Sequence, residues 1–241
     1  MLDKEIVRVK VTGEFACFTR PDLKVERMTY PCMTPSAARG ILDSILWKPE
    51  FQWYVRRILV LKPVKFFSVK RNEINSKQGR NPVVIEDKRS QRNSIVLKDV
   101  SYIIEASVYQ REKSDDNPPK KYVEMFRRRV RKGQCYRRPY LGTREFYAEF
   151  SEPDGNENGI AEPIPIGSML FDIFYDETCK ASPVFFYDVS VENGILNCEV
   201  PENDRMMESS HVQPPADSEV SAYLYEFKQV EEIEFNKEVL P

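Results

Sequence analysis

Asn117-Pro118-Pro119-Lys120-Lys121-Tyr122-Val123-Glu124-Met125-Phe126-Arg127-Arg128-Arg129-Val130-Arg131-Lys132-Gly133 is the stretch on which the fold depends. Its two prolines suit the first turn of a helix, where a missing N–H is not needed and a fixed φ is already helical. Gly133 stands where helices commonly end in a left-handed residue. Between them Val123, Phe126 and Val130 recur at three- and four-residue spacing and mark a buried side, so Arg127, Arg128 and Arg131 share a broad outward face. The spacing predicts an amphipathic helix to about Lys132 whose apolar side needs a partner layer.

Strand patterns on both sides supply that layer. Upstream, Ile95 to Tyr109 reads as a strand; downstream, Tyr140 to Phe150 reads as another. Further back, the polar stretch Lys70 to Asn93 lacks periodicity and reads as a long excursion, while Tyr54 to Val69 is rich in Val, Ile, Leu and Phe at strand spacing. Thr34-Pro35-Ser36 caps a predicted helix to about Trp47, stopped near Pro49. Ile6-Val7-Arg8-Val9-Lys10-Val11 alternates apolar and charged residues as a half-buried strand does, and Gly13 ends it. The order is β-α-β-β-α-β, an α+β fold of ferredoxin-like (RRM-like) pattern. In that pattern two helices pack on one face of an antiparallel sheet and the other face stays free for a ligand.

From Ser151 to Gly167 the composition shifts to Glu, Pro, Gly and Asn, which marks a boundary. The expected division is residues 1–150 as the ferredoxin-like domain and residues 151–241 as a small acidic, β-rich C-terminal module. In the latter, Met169 to Tyr175, Val184 to Val191 and Ile195 to Val200 read as strands of a small antiparallel sheet, with Asn193-Gly194 as a turn. The acidic tail after Pro201 has weak periodicity.

The net charge of -2 conceals a segregation. Residues 151–241 hold 20 acidic and 4 basic side chains, a charge of -16, which leaves +14 on residues 1–150. A module at +14 attracts polyanions and releases their counterions, making nucleic acid the leading partner class. No apolar run approaches the roughly 20 residues of a membrane span, so the expectation is a cytoplasmic protein without membrane contact. Five widely spaced cysteines (Cys17, Cys32, Cys135, Cys179, Cys198) and one histidine, His211, argue for reduced buried thiols and against a metal site. Neither a Walker-type loop nor GxGxxG follows a strand, so no cofactor is expected.

Ten basic residues lie between Lys120 and Arg144: Lys120, Lys121, Arg127, Arg128, Arg129, Arg131, Lys132, Arg137, Arg138 and Arg144. Guanidinium forks bind phosphate oxygens bidentately and stack on bases, which suits folded RNA with its crowded phosphates. Tyr136, Tyr140 and Tyr147 are interleaved and read equally well as base-stacking or packing residues. Gly133 and Gly142 flank the Arg137-Arg138-Pro139 loop and would let backbone approach a phosphate.

The segments Lys121-Tyr122, Glu124 to Arg129, Lys132-Gly133-Gln134-Cys135 and Arg138 to Phe146 together resemble the CRISPR-associated repeat-RNA endonuclease of subtype I-C, the Dvulg-subtype member of the fifth Cas family. Phe18-Thr19-Arg20-Pro21, Pro35 to Ile41, Trp47-Lys48-Pro49, Gln91-Arg92-Asn93 and Leu97 to Val100 extend the likeness over the first 150 residues. The resemblance implies a ferredoxin-like RAMP (repeat-associated mysterious protein) domain that binds the hairpin of the CRISPR repeat. It implies cutting of pre-crRNA at the 3′ base of that hairpin without metal, by attack of a ribose 2′-hydroxyl on its neighbouring phosphate. It also implies retention on the crRNA beside other subunits of the type I-C interference complex.

The family places a tyrosine just before Trp-Lys-Pro and a Lys-His pair at the start of the second helix. This chain has Leu46, and Lys121 with Tyr122; anchoring on Asn117-Pro118 instead puts Lys120-Lys121 at the pair. The candidate catalytic residues are therefore Lys121, Tyr122 and Lys120, with the phenol as acid, or as base if nearby cations lower its pKa. The candidate RNA contacts are Arg127, Arg128, Arg131, Lys132, Arg137, Arg138, Arg144, Gly133 and Gly142. Two other readings stay open: a non-catalytic subunit capping the crRNA 5′ handle, and a metal-dependent nuclease. The acidic C-terminal module is expected to meet protein rather than RNA.

Overall fold

The computed structural model describes residues 6–76, 79, 82–110, 118–175 and 181–199. Eight strands alternate with three helices: β1 (Ile6–Ala16), α1 (Pro35–Ile45), β2 (Phe51–Val60), β3 (Phe66–Ile74), α2 (Ile85–Lys88), β4 (Arg89–Gln110), α3 (Pro119–Arg131), β5 (Glu149–Ser151), β6 (Ile164–Tyr175), β7 (Ala181–Glu192) and β8 (Ile195–Asn197). All eight join one curled antiparallel sheet in the order β5-β1-β4-β2-β8-β7-β6, with β3 paired to β4 off that path. The molecule is mixed α/β with few helices.

Local chemistry explains both long helices. Thr34 Oγ1 accepts the Ala37 N–H at 3.2 Å, capping α1, and Pro35 fills its first position. Pro119 starts α3, and Gly133 ends it with φ of 62°, the Gln134 N–H returning to the Arg129 carbonyl at 2.9 Å. The side chains of Val7, Val9 and Val11 on β1 line up with Ala106, Ile104 and Tyr102 on β4 and with Val55, Ile58 and Val60 on β2, making one apolar face. Tyr122, Val123, Phe126 and Val130 of α3 and Ile41, Leu42 and Ile45 of α1 belong to the same core. Arg39 of α1 ties that layer to β6: its Nε and Nη2 each donate to the Asp172 carboxylate at 2.7 Å, and Nη1 donates to Asp43 at 3.2 Å.

The structure departs from the sequence reading at four places. The excursion Lys70–Asn93 is largely strand, because β3 and β4 pair from Phe66↔Leu97 to Ile74↔Arg89. Its polar alternation hid it; one face of this ribbon packs on little else. The strand predicted from Tyr140 to Phe150 shrinks to Glu149–Ser151, since Leu141 to Phe146 folds into a turn closed by the Leu141 N–H to Phe146 carbonyl bond at 2.7 Å. The sheet face opposite the helices is not wholly open: Lys10 on that face is held by Asp154 at 3.1 Å and Glu157 at 3.3 Å from the segment between β5 and β6. Burial would raise the Glu157 carboxyl, but the N–H groups of Asp154 and Gly155 and the Lys10 ammonium hold it down at about 2. Finally, Cys17, Cys32 and Cys198 are buried as expected, whereas Cys135 is exposed because it lies in the turn after α3. Residues 201–241, with His211, lie outside the described residues, as do Asn117 and Cys179.

Removing one partner of a largely desolvated ion pair leaves the other charge uncompensated. Asp172→Ala should therefore lower unfolding free energy in urea by about 3 kcal/mol, whereas Asp22→Ala, at an exposed pair, should change it by less than about 1 kcal/mol. A second outcome concerns alkaline pH. Burial pushes the Cys32 thiol up to about 12, and burial raises Tyr102 and Cys198 as well. The folded chain keeps protons that the unfolded chain releases, so stability present near pH 7 should decline as pH rises beyond about 9. Urea midpoints measured at pH 7 and pH 10 check this.

Candidate nucleic-acid interface

The chain after α1 runs along α3, and aromatic packing sets the distance. Trp53 lies against Phe126 with ring centroids 4.8 Å apart, and Phe51 against Tyr122 at 4.6 Å. The Trp53 indole N–H donates to the Leu46 carbonyl at 2.9 Å, fixing the segment that leaves α1. At the other end, the carbonyls that close α1 meet donors from α3 and its following turn. Arg129 Nη1 donates to the Ile45 carbonyl at 2.5 Å, and the backbone N–H groups of Tyr136 and Arg137 donate to the Ser44 carbonyl at 2.8 and 3.2 Å. These bonds satisfy orphan carbonyls and set positive charge at the negative end of the helix dipole.

With the apolar side of α3 pinned, its charged side must face outward. Lys121, Glu124, Met125, Arg128, Arg131 and Lys132 line a depression of about 810 Å³ along the helix. The predicted shared face divides, however. Arg127 turns toward the start of β1, donating from Nη2 to the Ile6 carbonyl at 2.9 Å, and belongs to a different cavity with Arg8 and Arg57. Arg131 reaches Glu152 at 3.3 Å. Beyond the helix, Arg137 Nε donates to Ser44 Oγ at 3.3 Å, and Arg138 lies over the Tyr147 ring at 4.2 Å. Of the seven arginines and lysines expected to contact RNA, Arg131 alone is paired with a carboxylate among the described residues. Arg128, Lys132 and Arg144 are exposed and make no ion pair there.

The two glycines part company. The space beside Gly133 is open, as close approach of a ligand requires. Gly142 answers to its own chain instead: with φ of 85°, a Cβ there would sit 2.0 Å from the Cys17 carbonyl oxygen. Its expected RNA contact is corrected to a packing role, because the Cys17 N–H also binds the Leu141 carbonyl at 3.0 Å. Among the tyrosines, Tyr136 is 81% exposed and Tyr147 55%, so both present ring surface, while Tyr140 is half-buried.

Lys120 and Lys121 are exposed on the first turn of α3, with Lys120 near Glu124 at 3.9 Å. Tyr122 is only 2% exposed. Burial, with the Glu50 charge adding to it, pushes its phenol above the ordinary range, which overturns the expectation of a base activated by nearby cations. Leu46 is fully buried, so it packs the core and does not reach RNA. Glu50 escaped the sequence reading: its Oε2 is buried without a hydrogen-bond partner in the turn before β2. No local pattern marks it, because the neighbour that makes it notable, Tyr122, is far away in sequence.

No helix among the described residues is long and apolar enough to cross a membrane. Over residues 6–173 the sequence matches the family Cas_Cas5d, described as CRISPR-associated protein (Cas_Cas5). A Thermus thermophilus protein named CRISPR pre-crRNA endoribonuclease Cas5d is 52% identical over 171 residues, 71% of this chain and 74% of that protein. One of the same name from Mannheimia succiniciproducens is 40% identical over 218 residues, 79% of this chain and 93% of that protein. Two solved structures share the fold at 23% identity. One is a CRISPR-associated protein with a TM-score of 0.62, covering 83% of this chain and 94% of that one. The other is a functionally uncharacterized protein of Streptococcus mutans with a TM-score of 0.59, covering 80% and 91%. The family match extends over well more than half of the sequence and both relatives carry the same designation, so this chain belongs to the Cas5d family of CRISPR-associated proteins.

Proposed function

We propose that this protein is an endoribonuclease that binds the hairpin of CRISPR repeat RNA along α3, cuts pre-crRNA at the 3′ base of the hairpin, and stays on the crRNA as a subunit of the type I-C interference complex in the cytoplasm. The observation that carries the reading is the surface of α3 and its following turn, where Arg128, Lys132 and Arg144 are exposed without carboxylate partners among the described residues. The names of the two relatives support the activity. The order β5-β1-β4-β2, with α1 and α3 on one face, supports a ferredoxin-like RAMP domain over residues 1–150. Residues 151–241 then form the acidic module that meets protein.

In this reading the ribose 2′-oxygen attacks its own phosphorus, the P–O5′ bond breaks, and a 2′,3′-cyclic phosphate and a 5′-hydroxyl result. Lys121, with Lys120, offsets the extra negative charge on phosphorus. Tyr122 protonates the leaving 5′-oxygen; its raised pKa keeps the proton in place at neutral pH. No metal is required, and among the described residues no group of three or more His, Cys, Asp or Glu side chains is arranged to hold one. A second reading, the non-catalytic subunit on the crRNA 5′ handle, is favoured by one observation: Tyr122 and Leu46 are both buried.

Labelled repeat RNA incubated with purified protein in EDTA separates these readings, and cleavage to a cyclic-phosphate end is the expected outcome. Uncut but bound RNA would favour the non-catalytic subunit, and cutting that EDTA abolishes would favour a metal-dependent nuclease. Tyr122→Phe should slow cutting by roughly 10²-fold while leaving hairpin affinity unchanged. Because burial raises the phenol above its ordinary range, it keeps its proton throughout, and the wild-type to Tyr122→Phe rate ratio should stay constant from about pH 7 to about pH 9. A combined Arg128→Ala, Lys132→Ala, Arg144→Ala variant should lose three phosphate contacts. Its plot of log affinity against log salt should flatten by about 2 to 3 in slope.

A further inference from the structure

We infer that Arg8, Arg57 and Arg127 form a second phosphate-binding site, separate from the α3 depression, that takes a backbone phosphate of single-stranded RNA flanking the hairpin. The inference rests on the RNA-binding reading above for its ligand, but its geometry is independent of that reading.

Strand register builds the site. Arg8 on β1 and Arg57 on β2 are both directly opposite Glu105 on β4, so the three side chains form a row across the face turned away from the helices. Glu105 is 6% exposed, and both of its oxygens are committed. Oε1 accepts from Arg8 Nε at 2.9 Å, and Oε2 accepts from Arg57 Nε and Nη2 at 2.8 and 2.7 Å. One carboxylate against two guanidiniums leaves a positive charge in excess and N–H donors unspent. Each arginine side chain nonetheless stays almost half exposed, 45% for Arg8 and 48% for Arg57.

Arg127 brings a third guanidinium from α3 around the start of β1. Together with Ile6, Glu152 and Pro153, these groups line a cavity of about 470 Å³, ample for a phosphate and part of its sugar. Glu152 is the remaining acid in the lining, and Arg131 engages it at 3.3 Å. A purely structural Arg–Glu–Arg row gains little over apolar packing. It also gives no reason for three guanidiniums to converge on an accessible cavity. A buried carboxylate that locks the forks of two arginines is instead the support that bidentate phosphate recognition needs. The cavity opens on a different side of the molecule from the Arg128–Lys132 surface, so a strand held here must extend beyond the paired stem.

The test uses the full chain and three RNAs: the bare repeat hairpin, and the hairpin with a single-stranded extension of several nucleotides on its 5′ or its 3′ side. The triple variant Arg8→Gln, Arg57→Gln, Glu105→Gln neutralises the whole row while keeping side-chain length. The expected result is unchanged affinity for the bare hairpin, about tenfold weaker binding of one extended RNA, and a salt slope for that RNA smaller by about 1.4 if two phosphate contacts are lost. The extension that responds identifies the strand. Equal affinity of wild type and variant for all three RNAs overturns the inference. Failure of the wild type to bind even the bare hairpin overturns the RNA reading itself, a different outcome. Arg57→Lys keeps the charge and removes the fork; a loss of about threefold for the same RNA supports the site even if the triple variant misfolds. As a probe without RNA, millimolar inorganic phosphate should raise the thermal midpoint of the wild type and not of the triple variant. A shift in both overturns the site, and a phosphate shift without any effect of the extensions overturns its assignment to RNA.

Discussion

Two aromatic contacts, Phe51 on Tyr122 and Trp53 on Phe126, hold α3 on the sheet, and every charge on that helix is aimed as a consequence. Buried aromatic side chains contribute more apolar area than any other residue type and tolerate few relative orientations. Once the rings of Tyr122 and Phe126 are seated, helical spacing leaves Lys121, Arg128 and Lys132 no direction but outward. The same seating takes Tyr122 almost out of solvent and raises its pKa. The core contact that displays the basic surface also limits what its neighbouring phenol can do.

A basic composition is not the same as a basic surface. Most arginines of the first half are consumed within it. Arg27, Arg71 and Arg92 share Glu73, the first two also reaching Glu145, and this network fastens the β3–β4 ribbon to the body. Arg20 pairs with Asp22, and Lys62 with Asp99. What survives this neutralisation is concentrated on α3, the turn after it, and the row at Arg8 and Arg57. Surfaces of that kind attract polyanions because their counterions can be released, whereas paired charges have already lost them.

The acidic segment between β5 and β6 belongs to the same electrostatic arrangement. Asp154 and Glu157 engage Lys10, and Glu152 engages Arg131, so the chain uses its own carboxylates to bring the C-terminal strands to the basic half. β8 completes the connection by pairing with β2, and Arg39 with Asp172 bonds the two halves on the helix side. Charge segregation along the sequence thus becomes adjacency in space, since opposite signs placed far apart in the chain are free to meet.

Local pattern was enough for everything that repeats within a few residues. The helices at Pro35 and Pro119, the strands at Ile6, Ile95 and Val184, the Asn193-Gly194 turn and the arginine cluster all carry their signal in spacing, capping or composition. The motifs of the first 150 residues likewise carried the family likeness. Tertiary structure decided the rest, because those properties depend on partners distant in the chain. The β3 strand was invisible until β4 supplied its hydrogen bonds, and the Tyr140–Phe150 strand gave way to a turn that Cys17 holds in place. No sequence feature told that Tyr122 would be buried beside Glu50, or that Arg8, Glu105 and Arg57 would stand in one row. Periodicity reports which side of an element is apolar; register and packing alone determine which side chain stands opposite it.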